Sequence, residues 1–142
     1  MVDEEIVGDL LGYINRYTND LKRMQGLSRR EYEDDMVTRR AVERTFVNLI
    51  QACIDLAKHI RLTEGLSPSG TSKREVEALG NAEIISDETR EHIEEAVGFR
   101  NLLTHRYGEI DHEVVYRILQ NDLRWFERFQ HEVARWYQRH HS

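Results

Sequence analysis

Apolar residues recur every three or four positions in four separate stretches of this chain, and each stretch marks one face of a helix. Ile6, Leu10, Ile14, Tyr17, Leu21 and Met24 form the first stripe and predict a helix over 3–25, with Gly26 as its stop. Val42, Phe46, Leu49, Cys53, Leu56 and Ile60 form the second, over 37–63. Ile93 and Val97, with Ala96 and Leu103 beside them, form a third that runs from a cap at Ser86 or Asp87 to near His105. Val115, Ile118, Trp125, Phe126, Phe129, Val133 and Trp136 form the last, behind a cap at Asp111. Asp122 interrupts that stripe, and an acid on an apolar face must lie at a margin or meet a cation, here one of the many arginines. Ser28 with Glu31 and Ser72 with Glu75 have capping-box spacing and open two short helices, the second ending near Leu79. The stretch 64–71 holds the only proline, Pro68, and two glycines, and is the one real loop. No segment alternates with strand period. The expected fold is all-α, an antiparallel (up-down) four-helix-bundle-like domain with short extra helices, filling 1–142 as a single domain.

Composition narrows the function classes. The single cysteine, Cys53, sits inside an apolar stripe, which implies a small core residue in a reducing compartment. No apolar run approaches the roughly 18 residues of a membrane span, and the start, Met1 to Glu5, is acidic, so a cytoplasmic protein without membrane contact is expected. A net charge of -6 argues against indiscriminate coating of RNA. Yet 17 of the 20 basic residues are arginines, whose forked donors suit phosphate, and from Phe99 onward seven arginines face six acids. No metal site is expected. The acids Glu31, Glu33, Asp34 and Asp35 point different ways from a helix with no His or Cys among them. His59 lies beside the core stripe as a packed or surface residue, and His140 and His141 belong to a frayed end. A glycine-rich phosphate loop, an HExxH zinc pattern and a Ser/His/Asp arrangement are all missing.

The candidate chemistry is concentrated in Gly98-Phe99-Arg100-Asn101-Leu102-Leu103-Thr104-His105-Arg106-Tyr107. At helical pitch Arg100 and Thr104 share a face, and Asn101 and His105 share the next one round. Gly108 is placed to end the helix as a left-handed residue. Cations near a helix C-terminus also stabilise the helix dipole, so the spacing alone is equally consistent with a structural helix end on which Tyr107 packs. The order Arg, Asn, three residues, His, one residue, Tyr resembles the RX4HXY signature of HepT-like toxins, a branch of the HEPN superfamily of all-helical ribonucleases. Arg39 to Arg44, Gln51 to Ala57, Gly98 to Asn101 and the apolar phase from Val114 to Trp136 resemble that family too, so the likeness covers nearly the whole chain.

The resemblance implies the toxin of a toxin–antitoxin pair, a metal-independent endoribonuclease with no cofactor. It implies a homodimer whose two motifs face a shared cleft, and a larger complex with a minimal nucleotidyltransferase antitoxin of the MntA type. It also makes Tyr107 the acceptor of AMP from that antitoxin. In such chemistry His105 takes either proton-transfer role, because an unperturbed imidazole titrates at about 6.5, near cellular pH. Arg100 grips phosphate oxygens bidentately, and Asn101 orients the imidazole or holds a ribose hydroxyl. Two other classes stand beside it: a non-catalytic HEPN-type helical protein that binds nucleotide, RNA or a nucleotidyltransferase, and a purely structural helical scaffold. The intact set Arg100, Asn101, His105 and Tyr107 favours the nuclease.

Overall fold

The computed structural model describes residues 4–66 and 70–141, and at Tyr107 the backbone only. Pro68 and its neighbours therefore lie outside the described residues, as does Ser142. Among the described residues seven α-helices account for nearly all of the chain: α1 (Glu4–Met24), α2 (Arg29–Glu33), α3 (Met36–Thr63), α4 (Ser72–Asn81), α5 (Asp87–His105), α6 (His112–Asn121) and α7 (Leu123–His141). A 3-10 turn, Tyr107–Glu109, joins α5 to α6. The four long helices form a closed ring in which α1 packs on α3 and α7, and α5 packs on the same two. Lys22 near the end of α1 meets Glu127 near the start of α7 at 2.6 Å, so those helices run antiparallel. The expected up-down bundle is what forms.

Burial follows the stripes. Ile14 and Leu21 of α1, Phe46, Leu49, Ile50, Leu56 and Ile60 of α3, Ile93 and Val97 of α5, and Phe129 and Val133 of α7 are fully enclosed. Burial of each such side chain contributes on the order of 2 kcal/mol. Cys53 lies in the same core, and burial pushes its thiol well above the ordinary range, so it is an inert apolar residue. The α2 capping box is present in full, with Ser28 Oγ accepting from the Glu31 amide and Glu31 accepting from the Ser28 amide. The rest of the acidic cluster is equally engaged: Glu33 pairs with Arg29 at 3.2 Å, and Asp35 caps α3 through the Val37 amide. His59 is half-buried at the edge of the core.

Four expectations need correction. The last stripe is two helices, because α6 stops at Asp122 and α7 restarts at Leu123. Gln25 donates to the Leu119 carbonyl at 3.0 Å and Tyr116 to that of Leu27 at 2.7 Å, tying α6 to the α1–α2 turn, while α7 bends away to pack on α1 and α5. Asn121 and Asp122 are poor helix formers at the bend. Asp122 is half-buried there, and among the described residues no arginine pairs with it. The cap of α4 is Thr71, whose hydroxyl accepts from the Arg74 amide at 3.2 Å, one residue earlier than expected. Glu75 does not reach back to a cap; it forms a buried ion pair with Arg61, which also donates through Nη2 at 3.3 Å. Gly108 is not left-handed, since α5 ends on Arg106 at φ -135° and the chain enters the 3-10 turn. Finally α7 stays helical through His141, whose imidazole lies 3.7 Å from Glu64.

The Arg61–Glu75 pair fixes α4 against α3 with side chains only 10% and 9% exposed. Glu75→Ala leaves a buried guanidinium unpaired and is expected to lower stability by about 3 kcal/mol in urea unfolding. The double variant Arg61→Met with Glu75→Leu should recover most of that loss. A Glu75→Ala protein as stable as the parent would mean the pair is not the clamp.

Candidate active site on the fifth helix

Helix α5 is held in a fixed rotation by what lies on either side of the motif. Ser86 caps it through the Thr89 amide at 3.2 Å, and Glu132 of α7 accepts from the Ser86 amide and the Thr89 hydroxyl, each at 2.7 Å. Phe99 meets Phe46 of α3 edge to face at 5.4 Å, and Val97 and Leu103 are buried. With those faces fixed, Arg100 turns toward α3 and α4 and is half-buried. Its Nη1 donates to Gln51 Oε1 at 3.2 Å, and its Nη2 donates to Ser72 Oγ at 3.3 Å. Gln51 Nε2 in turn donates to Asp55 Oδ1 at 2.8 Å, so the amide presents its oxygen to the arginine. Nε of Arg100 is buried without an acceptor, and among the described residues no carboxylate pairs with the guanidinium. The charge is positioned but not neutralised.

Asn101 and His105 lie one face further round and are exposed. With Gly98, Leu102 and Arg106 they line an open groove of about 540 Å³. Arg106 is paired with Glu109 at 3.3 Å. Five residues of α-helix turn about 500°, so the side chains of Arg100 and His105 leave the axis about 140° apart. One chain therefore does not bring the guanidinium and the imidazole onto a single face. Tyr107 opens the 3-10 turn directly after the groove, and its side chain lies outside the described residues.

A second groove, of about 230 Å³, runs between α3 and α5 and is lined by Arg40, Glu43, Arg44, Val47, Leu103 and Thr104. Glu43 is 7% exposed at its floor. Burial raises its carboxyl above the usual range, and His112, Arg40 and Arg39 oppose that shift less strongly. His112 Nδ1 stands 3.7 Å from Glu43, and among the described residues neither it nor the hydroxyl of buried Tyr32 has a hydrogen-bond partner. Sequence spacing missed this cluster, and it missed Gln51 and Ser72 as the residues that hold Arg100. The i, i+4 pair of Gln51 and Asp55 was the only signal for the latter.

The family model described as ribonuclease HepT-like matches residues 14–133. The chain is 24% identical over 125 residues to the mRNA nuclease HepT of Shewanella oneidensis, covering 88% of this chain and 93% of that protein. It is 26% identical over 132 residues to the tRNA nuclease HepT of Aphanizomenon flos-aquae, covering 93% and 90%. Its fold is shared with the tri-AMPylated HEPN toxin of Shewanella oneidensis solved in complex with an MNT antitoxin, at TM-score 0.87, 22% identity and coverage of 94% and 99%. It is shared too with YutE, a cytosolic protein of unknown function from Bacillus subtilis, at TM-score 0.85, 13% identity and coverage of 97% and 92%.

The buried Glu43 carries a pH signature. Because its folded carboxyl lies above the ordinary value, the folded chain binds that proton more tightly than the unfolded one. Stability is then lost as pH rises from the ordinary carboxylate range through the raised value. Glu43→Gln removes this loss, so the variant should be the more stable at neutral pH, and the two proteins should converge near about pH 4 in thermal unfolding. Equal stability at both pH values would show the carboxyl to be solvated.

Proposed function

The chain belongs to the ribonuclease HepT-like family, and on that premise we propose that it is the toxin of a toxin–antitoxin pair, a metal-independent endoribonuclease silenced by AMP on Tyr107. The observation that carries this reading is the arrangement around Arg100. A half-buried guanidinium held by a neutral amide and a hydroxyl, with no carboxylate on it among the described residues, keeps its full charge for a phosphate. Exposed His105 and Asn101, on the next face of the helix, supply a proton carrier and an amide on an open groove. Among the described residues no helix is long and apolar enough to cross a membrane. That agrees with a cytoplasmic protein acting on RNA as one helical domain over 1–142.

In the proposed reaction the imidazole of His105 takes the proton of a ribose 2'-hydroxyl. The freed oxygen attacks the adjacent phosphorus, and Arg100 stabilises the charge on the phosphorane. The bond to the 5'-oxygen breaks, that oxygen is protonated, and a 2',3'-cyclic phosphate remains. One imidazole cannot give and take a proton in the same step. A second copy of the chain, its motif facing the same cleft, supplies the other. The divergence of Arg100 and His105 within one chain supports such a composite site. The tyrosine oxygen of Tyr107 acts as acceptor when a nucleotidyltransferase antitoxin supplies AMP: it attacks the α-phosphate of ATP, and pyrophosphate leaves. The added phosphodiester brings a negative charge and a nucleoside beside a site that must receive RNA, and the arginine's charge is then taken up by the modification.

His105→Ala should abolish cleavage and toxicity with helicity unchanged. Arg100→Ala should cost about 3 kcal/mol of transition-state stabilisation, roughly a hundredfold in rate. Cleavage should continue in EDTA and leave cyclic phosphate ends, and loss of activity on chelation would overturn the metal-free mechanism. Tyr107→Phe should still cut RNA, accept no AMP by intact mass spectrometry, and escape neutralisation by the antitoxin. Equal modification of the phenylalanine variant would remove Tyr107 from this role.

A further inference from the structure

We infer that the first turn of α4 forms one wall of the RNA site, with Lys73 contacting the phosphate next to the scissile one and Ser72 positioning Arg100. The inference rests on the ribonuclease reading. Three observations place the turn. Ser72 Oγ accepts from Arg100 Nη2 at 3.3 Å, so the start of α4 lies directly on the motif. Above Gly98, the Lys73 ammonium stands 3.6 Å from where a Cβ would be, and its Cε 3.8 Å. Gly98 itself lines the groove of Asn101 and His105, one and two turns before them on the same face of α5.

The lysine has no structural employment. It is exposed, and among the described residues no carboxylate pairs with it. Arg106, which lines the groove, is paired with Glu109. The turn that carries Lys73 is nevertheless fixed, by the Thr71 cap at one end and the buried Arg61–Glu75 pair at the other. Because residue 98 has no side chain, that position places no atoms beyond Cα between the ammonium and the groove. Gly98 and His105 are about 10 Å apart along the helix axis, which puts the ammonium beyond the reacting phosphate and beside its neighbour on the strand. A compact, hydrated ammonium suits that task, since it holds a phosphate without dictating which base is present. Ser72 acts differently: it touches the guanidinium and fixes where the guanidinium points.

Steady-state cleavage of a short single-stranded RNA at several salt concentrations separates the two roles. Lys73→Ala should raise KM about fivefold with kcat nearly unchanged, and should lower the slope of log KM against log salt by about 0.7. Lys73→Glu should raise KM further, and Lys73→Arg should restore it. Melting temperature should not move in any of the three. Ser72→Ala should instead lower kcat with little change in KM, and Ser72→Thr should recover it. If both Lys73→Ala and Lys73→Glu leave KM and the salt slope unchanged while the parent protein cuts, Lys73 is not in the site and this inference falls alone. A parent protein that does not cut RNA removes the ribonuclease reading and this inference together.

Discussion

A guanidinium half-buried between three helices, with an amide oxygen and a hydroxyl as its partners among the described residues, is the constraint around which this protein is organised. Burying a charge is costly unless acceptors surround it, and the usual solution is a carboxylate. Here the carboxylate is withheld by one step: Asp55 holds Gln51, and Gln51 holds Arg100. The arrangement depends on α3 and α4 both meeting α5 at the motif, and the structure secures each contact separately. Phe46 and Phe99 lock α3 to α5, Arg61 and Glu75 lock α4 to α3, and Gly80 lets the Arg90 side chain of α5 lie close against α4. Loosening any of these would let the arginine find a nearer acid or turn to solvent, and the neutral clamp would lose its purpose.

The same packing is the reason for proposing a site shared by two copies. Val97 and Leu103 must stay buried, which fixes the rotation of α5 and sends Arg100 inward while Asn101 and His105 face the open groove. A helix cannot turn two side chains five residues apart onto one face. In the proposed dimer each copy contributes half of the site, and a two-fold axis through the groove completes it. Modification at Tyr107, directly after the groove on the 3-10 turn, would then act on the place where two copies and the substrate all converge.

Much of this was legible in the sequence, and the parts that were not share a cause. Long stripes such as Val42 to Ile60 announce a helix because every turn repeats the same instruction. Ser28 and Glu31 announce a cap because both partners lie within one turn. The break at Asp122 was less legible, since Ile118 and Trp125 keep the apolar phase across it and the bend depends on hydrogen bonds to a turn nearly a hundred residues away. Glu75 looked like a capping residue because local spacing cannot show Arg61 waiting across a helix interface. The likeness of Arg100, Asn101, His105 and Tyr107 to a family signature could be read from their order alone. Its electrostatics could not, because Gln51, Ser72 and Lys73 come from elements far apart in the chain and meet Arg100 and Gly98 only after folding.

In the proposed dimer, catalysis requires the motifs of two copies in one cleft. Wild-type and His105→Ala subunits can be refolded together at known ratios, so that pairs form at random, and the cleavage rate measured at constant total protein. A shared cleft that needs both imidazoles predicts a rate falling with the square of the wild-type fraction, to about a quarter in an equal mixture. A rate that falls linearly, to about half in the same mixture, would mean each chain cuts with its own histidine and would contradict the account.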